Sequence, residues 1–168
     1  MEKYLGVKLI EAREMNIFQA AAYLNRNLSN GKEPIADTPG YLVMYENGYE
    51  SWSPKDAFEK AYRKIDALNF GLALEALKKG LRVARKGWFV IELGKTMFLI
   101  YKKTNIKHRN YTSNLEFRDY LKNSGTEYFT KIPHIDLYVT PVNNVPVLVV
   151  GWHPTQTDML ADDWFIIE

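Results

Sequence analysis

Two β-rich runs, Tyr41–Tyr45 and Tyr49–Trp52, are joined through Glu46-Asn47-Gly48, and the Asn-Gly pair constrains the fold more than any other dipeptide present. Asn and Gly both accept the positive φ that a tight primed turn requires, and such a turn follows the right-handed twist of its strands. The stretch reads as an antiparallel hairpin. Two further hairpins are expected: Phe89–Leu93 with Thr96–Tyr101 across Gly94-Lys95, and Ile135–Val139 with Val145–Val150 across Pro141 and Asn143-Asn144. Lys3–Ile10, Leu81–Trp88 and Phe165–Ile167 supply the remaining strands.

Capped helical patterns lie between the strands. Asn16 precedes Ile17, Ala20, Ala21, Leu24 and Leu28 on one face, the spacing of an amphipathic helix. Ser53-Pro54-Lys55-Asp56 places a cap, a proline at the first helical position and an acid in the first turn, a helix start. That helix turns Ala57, Phe58, Ala61, Tyr62 and Ile65 inward and ends near Asp66. Asn69 caps Phe70, Ala73, Leu74 and Leu77, with Gly80 as the stop, since glycine takes the left-handed conformation that closes a helix. Ser113–Glu116 is a capping box for a short helix with Leu115, Phe117 and Leu121, ended by Gly125. Residues 29–39 and 102–112 read as loops, the second mobile and basic. Hairpins with short packed helices make an α+β fold.

Met15–Leu24 (MNIFQAAAYL) can be laid on Leu68–Leu77 (LNFGLALEAL), matching at Asn16/Asn69, Ala20/Ala73 and Leu24/Leu77. Trp52-Ser53-Pro54 likewise parallels Trp152-His153-Pro154. A duplication would give two related units packed as a pseudo-dimer, or one sheet built from both; chance identity is the competing explanation. The domain division is an N-terminal α+β extension over residues 1–66 and a second domain over residues 67–168.

The 168 residues include no cysteine, which excludes disulfides, thiolate metal sites and a cysteine nucleophile. No apolar run reaches the ~18 residues of a membrane span, and no signal peptide is indicated, so a cytoplasmic protein is expected. A net charge of +2 is too small to argue for duplex nucleic acid. Basic residues gather at Lys78, Lys79, Arg82, Arg85 and Lys86, then at Lys102, Lys103, Lys107 and Arg109. Such runs are solvated faces, or an electropositive rim for a phosphorylated ligand. His108, His134 and His153 stand at no metal-ligand spacing, and no P-loop, Rossmann or nucleophile-elbow motif occurs.

The segment Gly151–Trp164, GWHPTQTDMLADDW, carries the most chemistry. A strand ending at Trp152 leads to a helix capped by Thr155 or Thr157, with Asp158 in its first turn. Free N–H groups at a helix start attract anions, while the indoles of Trp152 and Trp164 offer faces for a flat ring. Arg85, Lys86 and Trp88 add charge and a further indole. The bland alternative is a strand–turn–helix joint with its tryptophans in the core, and the residues leave both readings open.

FGLALEALKKGLRVARKGW (70–88) and GWHPTQTDMLADDWFII (151–167) together resemble the Thoeris anti-defence two-like family of phage and prophage proteins. The resemblance covers about residues 68–101 and 135–168, with an insert at about 102–134 that matches nothing in the pattern. The chain departs from the usual closing motif at His153 and Thr155. GYLVMYENGYESWSPKDAFEKAY (40–62) resembles an extension found before this domain in some phage proteins.

The resemblance implies a protein without catalysis or cofactor that sequesters a cyclic nucleotide immune signal of the glycocyclic ADP-ribose type inside an infected or lysogenic bacterial host. Some members also bind cyclic dinucleotides, and members are homo-oligomers, here a dimer or tetramer. The expected ligand-binding residues are Asn69, Arg85, Trp88, Trp152, Thr155, Gln156, Thr157 and Asp158, with no metal ligands. The alternatives are a phage accessory module binding a host protein or single-stranded nucleic acid through the basic loop, and a nucleotide-signal hydrolase.

Overall fold

The computed structural model describes residues 7–28, 37–88, 96–103, 107–109, 115–125, 128–130, 132–140 and 145–167. The chain divides into two compact units, Met1–Lys64 and Ile65–Glu168. The α+β class holds: antiparallel sheets carry short helices.

In the first unit, β1 (Ile10–Glu14), β2 (Gly40–Tyr45) and β3 (Glu50–Pro54) form an antiparallel sheet in that order, packed by α1 (Ile17–Leu24) and α2 (Lys55–Ala61). The Asn47-Gly48 hairpin forms, but of the pair only Gly48 takes positive φ, at 78°, and its N–H donates to the Tyr45 carbonyl at 2.8 Å, so the turn is longer than the two-residue primed one expected. Asn16 closes a reciprocal cap on α1: its Oδ1 accepts the Gln19 N–H at 2.9 Å, and the Gln19 side chain accepts the Asn16 N–H at 3.2 Å. Trp52 is committed to packing. Its Nε1–H donates to the Met15 carbonyl at 2.8 Å, and a Cβ on Gly40 would come within 2.4 Å of its ring. On the opposite face of β2, Tyr41, Phe58 and Tyr62 stack at 4.1 and 4.9 Å between successive rings.

Several expectations shift here. Of the strand expected over Lys3–Ile10, residues 3–6 lie outside the described residues and 7–9 are not in a strand; β1 begins at Ile10, and its polar, exposed residues suit a sheet edge and leave no apolar alternation to read. α1 stops at Leu24, where Asn25 turns left-handed at φ 49°, so Leu28 lies beyond it. Pro54 is the N-cap of α2, not its first residue, and the helix ends at Ala61 rather than near Asp66. Ala57, Ala61 and Ile65 are consequently exposed, while Phe58 and Tyr62 are half-buried.

The second unit contains α3 (Phe70–Lys78), β4 (Arg82–Arg85), β5 (Thr96–Lys102), β6 (Lys107–Arg109), α4 (Leu115–Asn123), β7 (Tyr128–Thr130), β8 (His134–Thr140), β9 (Val147–Val149), α5 (Gln156–Met159) and β10 (Trp164–Ile167). Five of its strands form one antiparallel sheet, in the order β10-β4-β5-β8-β9. Helix α3 lies against β4, β5 and β10 and buries Ala73, Ala76 and Leu77 at helical spacing. With Leu68, Val83, Leu99, Leu137 and Trp164 these make the core. Gly80 ends α3 at φ 88° as expected.

The strand expected over Leu81–Trp88 breaks at Arg85, and Lys86–Trp88 form a 3-10 turn. β9 covers only Val147–Val149, and Gly151 (φ 75°) turns the chain before Trp152. The stretch expected as a mobile loop, 102–112, contains β6, paired with β7. The Gly94-Lys95 and Pro141–Asn144 turns and the Ser113 cap lie outside the described residues. Among the described residues the strands of the two units form separate sheets. Asn16 and Asn69 each cap a helix, and Ala20 and Ala73 are both fully buried. The edge strand beside the β2–β3 pair and that beside the β4–β5 pair differ in chain order, however: β1 precedes α1, whereas β10 follows α5.

Candidate functional site

Three indoles converge at one end of the five-stranded sheet. β4 pairs with β10 so that Arg85 stands opposite Trp164, and the 3-10 turn after β4 delivers Trp88. From the far edge, Gly151 turns the chain and the Trp152 N–H donates to the Ile135 carbonyl at 2.7 Å, drawing Trp152 back over β8. Trp88 lies 6.0 Å from Trp152 and 5.3 Å from Trp164, and Trp152 lies 6.3 Å from Trp164. All three pairs cross at 75–76°, the edge-to-face arrangement that ring quadrupoles favour.

Their burial divides them. Trp164 is 0% exposed, packs against Phe70 at 5.5 Å, and donates its Nε1–H to the Asp158 carbonyl at 2.9 Å. It is a core residue, which corrects the expectation that it offers a face to a ligand. Trp88 and Trp152 are half-buried against the edge of the same core.

Behind the indoles lies a closed electrostatic group. Arg85 spans two carboxylates: Nη1 donates to Asp158 Oδ1 at 3.0 Å and Nε to Asp163 Oδ1 at 2.8 Å. Hydrogen bonding to Asp163, then to Asp158, raises the Arg85 pKa against the opposing pull of burial. Thr155, not Thr157, is the N-cap of α5. Its hydroxyl accepts the Asp158 N–H at 3.1 Å and donates to Asp158 Oδ2 at 2.7 Å, while that oxygen also takes the Thr155 N–H at 2.9 Å. Burial pushes Asp158 upward, but the bonds from Thr155 and the charge and hydrogen bond of Arg85 outweigh it and hold its carboxyl below the usual carboxylate range.

This wiring limits what each expected residue can offer. Arg85 is bound between the Asp158 and Asp163 carboxylates and Thr155 is bonded to Asp158, so the Arg85 charge is already balanced by two acids. α5 has only four residues, and its capping box already takes the Thr155 and Asp158 N–H groups, which leaves less of the expected anion-binding helix start. Gln156 and Thr157 are exposed, with side chains that make no hydrogen bond among the described residues. Lys86 is also exposed and forms no ion pair among the described residues. Asn69 caps α3, its Oδ1 accepting the Leu72 N–H at 2.9 Å, and stands beside β10 because Leu68 and Trp164 exchange backbone hydrogen bonds at 2.8 and 3.1 Å. Among the described residues no group of three or more His, Asp or Glu could hold a metal ion, and no helix is long and apolar enough to cross a membrane.

Residues 68–167, nearly the whole of the second unit, match the family model of the Thoeris anti-defense 2-like domain. The chain belongs to that family. Thoeris anti-defense 2 of Bacillus phage SP01 is 33% identical over 100 residues, which cover 60% of this chain and 94% of that protein. Adenylate isopentenyltransferase 4 of Arabidopsis thaliana is 27% identical over 106 residues, 56% of this chain but only 33% of that protein.

Within the Thoeris anti-defense 2-like domain, the contribution of Asp163 was not legible. Asp162-Asp163 reads as a solvated pair, yet Asp163 bonds Arg85 and its carbonyl accepts the Lys86 N–H at 3.2 Å. Only the register of β10 on β4 brings residues 85 and 163 together, and no local pattern announces it. Asp136 is hidden in a similar way, since only the turn after β9 brings the Gly151 N–H to it.

Proposed function

We propose that the chain holds a cyclic nucleotide signal of the glycocyclic ADP-ribose type, unaltered, on the surface formed by Trp88, Trp152, Gln156 and Thr157, and so blocks an anti-phage defence. The carrying observation is the pair of half-buried indoles crossing at 6.0 Å beside exposed, uncommitted polar side chains; membership of an anti-defence family supports it. A stacked base contributes about 1–3 kcal/mol. The Gln156 amide can both donate to and accept from a base edge, the Thr157 hydroxyl suits a ribose, and Lys86 supplies charge for a diphosphate. Arg85, Asp158, Thr155 and Asn69 act as the frame that carries these groups.

The same wiring supports retention without chemistry: Thr155 and Arg85 hold the Asp158 carboxyl below the usual carboxylate range, away from the poise of a general acid, and Asp163 is engaged by Arg85. A homo-oligomer, dimer or tetramer, in the host cytoplasm belongs to this reading, and the exposed apolar edge residues Val147, Leu148 and Val149 favour a covered surface. The test is to incubate the protein with glycocyclic ADP-ribose, heat-denature it and analyse the supernatant. Intact ligand is expected; a new product would favour an enzyme instead. Calorimetry on Trp88→Ala should show affinity reduced at least tenfold, about 1.4 kcal/mol, and unchanged affinity would remove Trp88 from the surface.

A further inference from the structure

We infer that Asp136 is the positioning residue for Trp152; the functional weight of the inference rests on the ligand surface proposed above. Asp136 stands on β8 and is 2% exposed. A carboxylate so deeply buried requires partners. Two reach its Oδ1: the Gly151 N–H at 3.1 Å and His134 Nε2 at 3.4 Å. Gly151 is where the chain leaves β9 with φ 75°, and the next residue is Trp152. Two consecutive N–H groups at this corner are therefore pinned to β8, Gly151 by the Asp136 side chain and Trp152 by the Ile135 carbonyl at 2.7 Å. Removing the first frees the turn that aims the indole.

The His134 ring borders the same carboxylate: its Nδ1 lies 2.9 Å from the Ile132 carbonyl and its Nε2 3.4 Å from Asp136 Oδ1. On the other side β5 sets the apolar Ile100 opposite Asp136, so among the described residues the Gly151 N–H and the His134 ring are the polar groups that reach this oxygen.

The experiment reads Trp152 fluorescence as the difference between each protein and the same protein carrying Trp152→Phe. Asp136→Ala should move the Trp152 emission to longer wavelength and weaken binding of glycocyclic ADP-ribose about tenfold, the scale of losing a support behind a binding group. Asp136→Asn keeps an acceptor oxygen for Gly151 and should restore the wild-type emission. A Trp152 spectrum unchanged in Asp136→Ala would overturn the positioning role. If Asp136→Ala does not fold, the wild-type Gly151 amide decides: it should exchange with solvent slowly, as the bonded Trp152 amide does, and exchange at the rate of an open turn would overturn the role. Wild-type protein that binds no glycocyclic ADP-ribose would sink the ligand surface, while the fluorescence comparison would still decide the clamp.

Discussion

Asp158 shows how one side chain can be read correctly in position and differently in purpose. Its place in the first turn of α5 follows from sequence, but its carboxylate faces inward, bonded to Thr155 and Arg85. Because its folded pKa is depressed, it contributes fully above the ordinary carboxylate range, and the contribution drains away as pH falls toward the folded value. Thermal melts from about pH 5 to about pH 3 should therefore show a steeper loss of melting temperature for the wild type than for Asp158→Asn. Parallel curves would mean that Asp158 titrates alike in the folded and unfolded chain. Trp164 and Asp163 taught the complementary lesson: an indole and an acid that look available in a string of letters are already taken once β10 meets β4.

At the scale of elements, what was legible had a local cause. Asn16 and Asn69 announce α1 and α3 because a cap acts within three residues, and Asn47-Gly48 announces its hairpin because a turn is complete in itself. Replacing Asn16 by Ala should cost about 1 kcal/mol in denaturant unfolding, with no change in ligand affinity. What was hidden depends on distant partners. β1 is an edge strand of polar residues that only β2 makes regular; β6 acquires its form from β7; the break after Arg85 makes a 3-10 turn where an extended strand was expected. The indole corner was foreseen in its residues, but the pairing that buries Trp164 and leaves Trp88 and Trp152 half-buried was not. Side-chain supply was local information, and wiring was not.

For the whole molecule, the family match and the second compact unit nearly coincide, residues 68–167 against Ile65–Glu168. A fragment beginning at Ile65 contains the full core cluster of Leu68, Leu77, Val83, Leu99, Leu137 and Trp164. It should melt cooperatively and bind ligand as the full chain does; a fragment that binds far more weakly would assign residues 1–64 a share of the affinity. The indole proton of Trp164 is hidden from solvent and given to the Asp158 carbonyl. In deuterated buffer that single proton can be replaced only when the corner opens. Its resonance is a built-in clock, outlasting those of the other indoles and slowing further whenever something settles over Trp88 and Trp152.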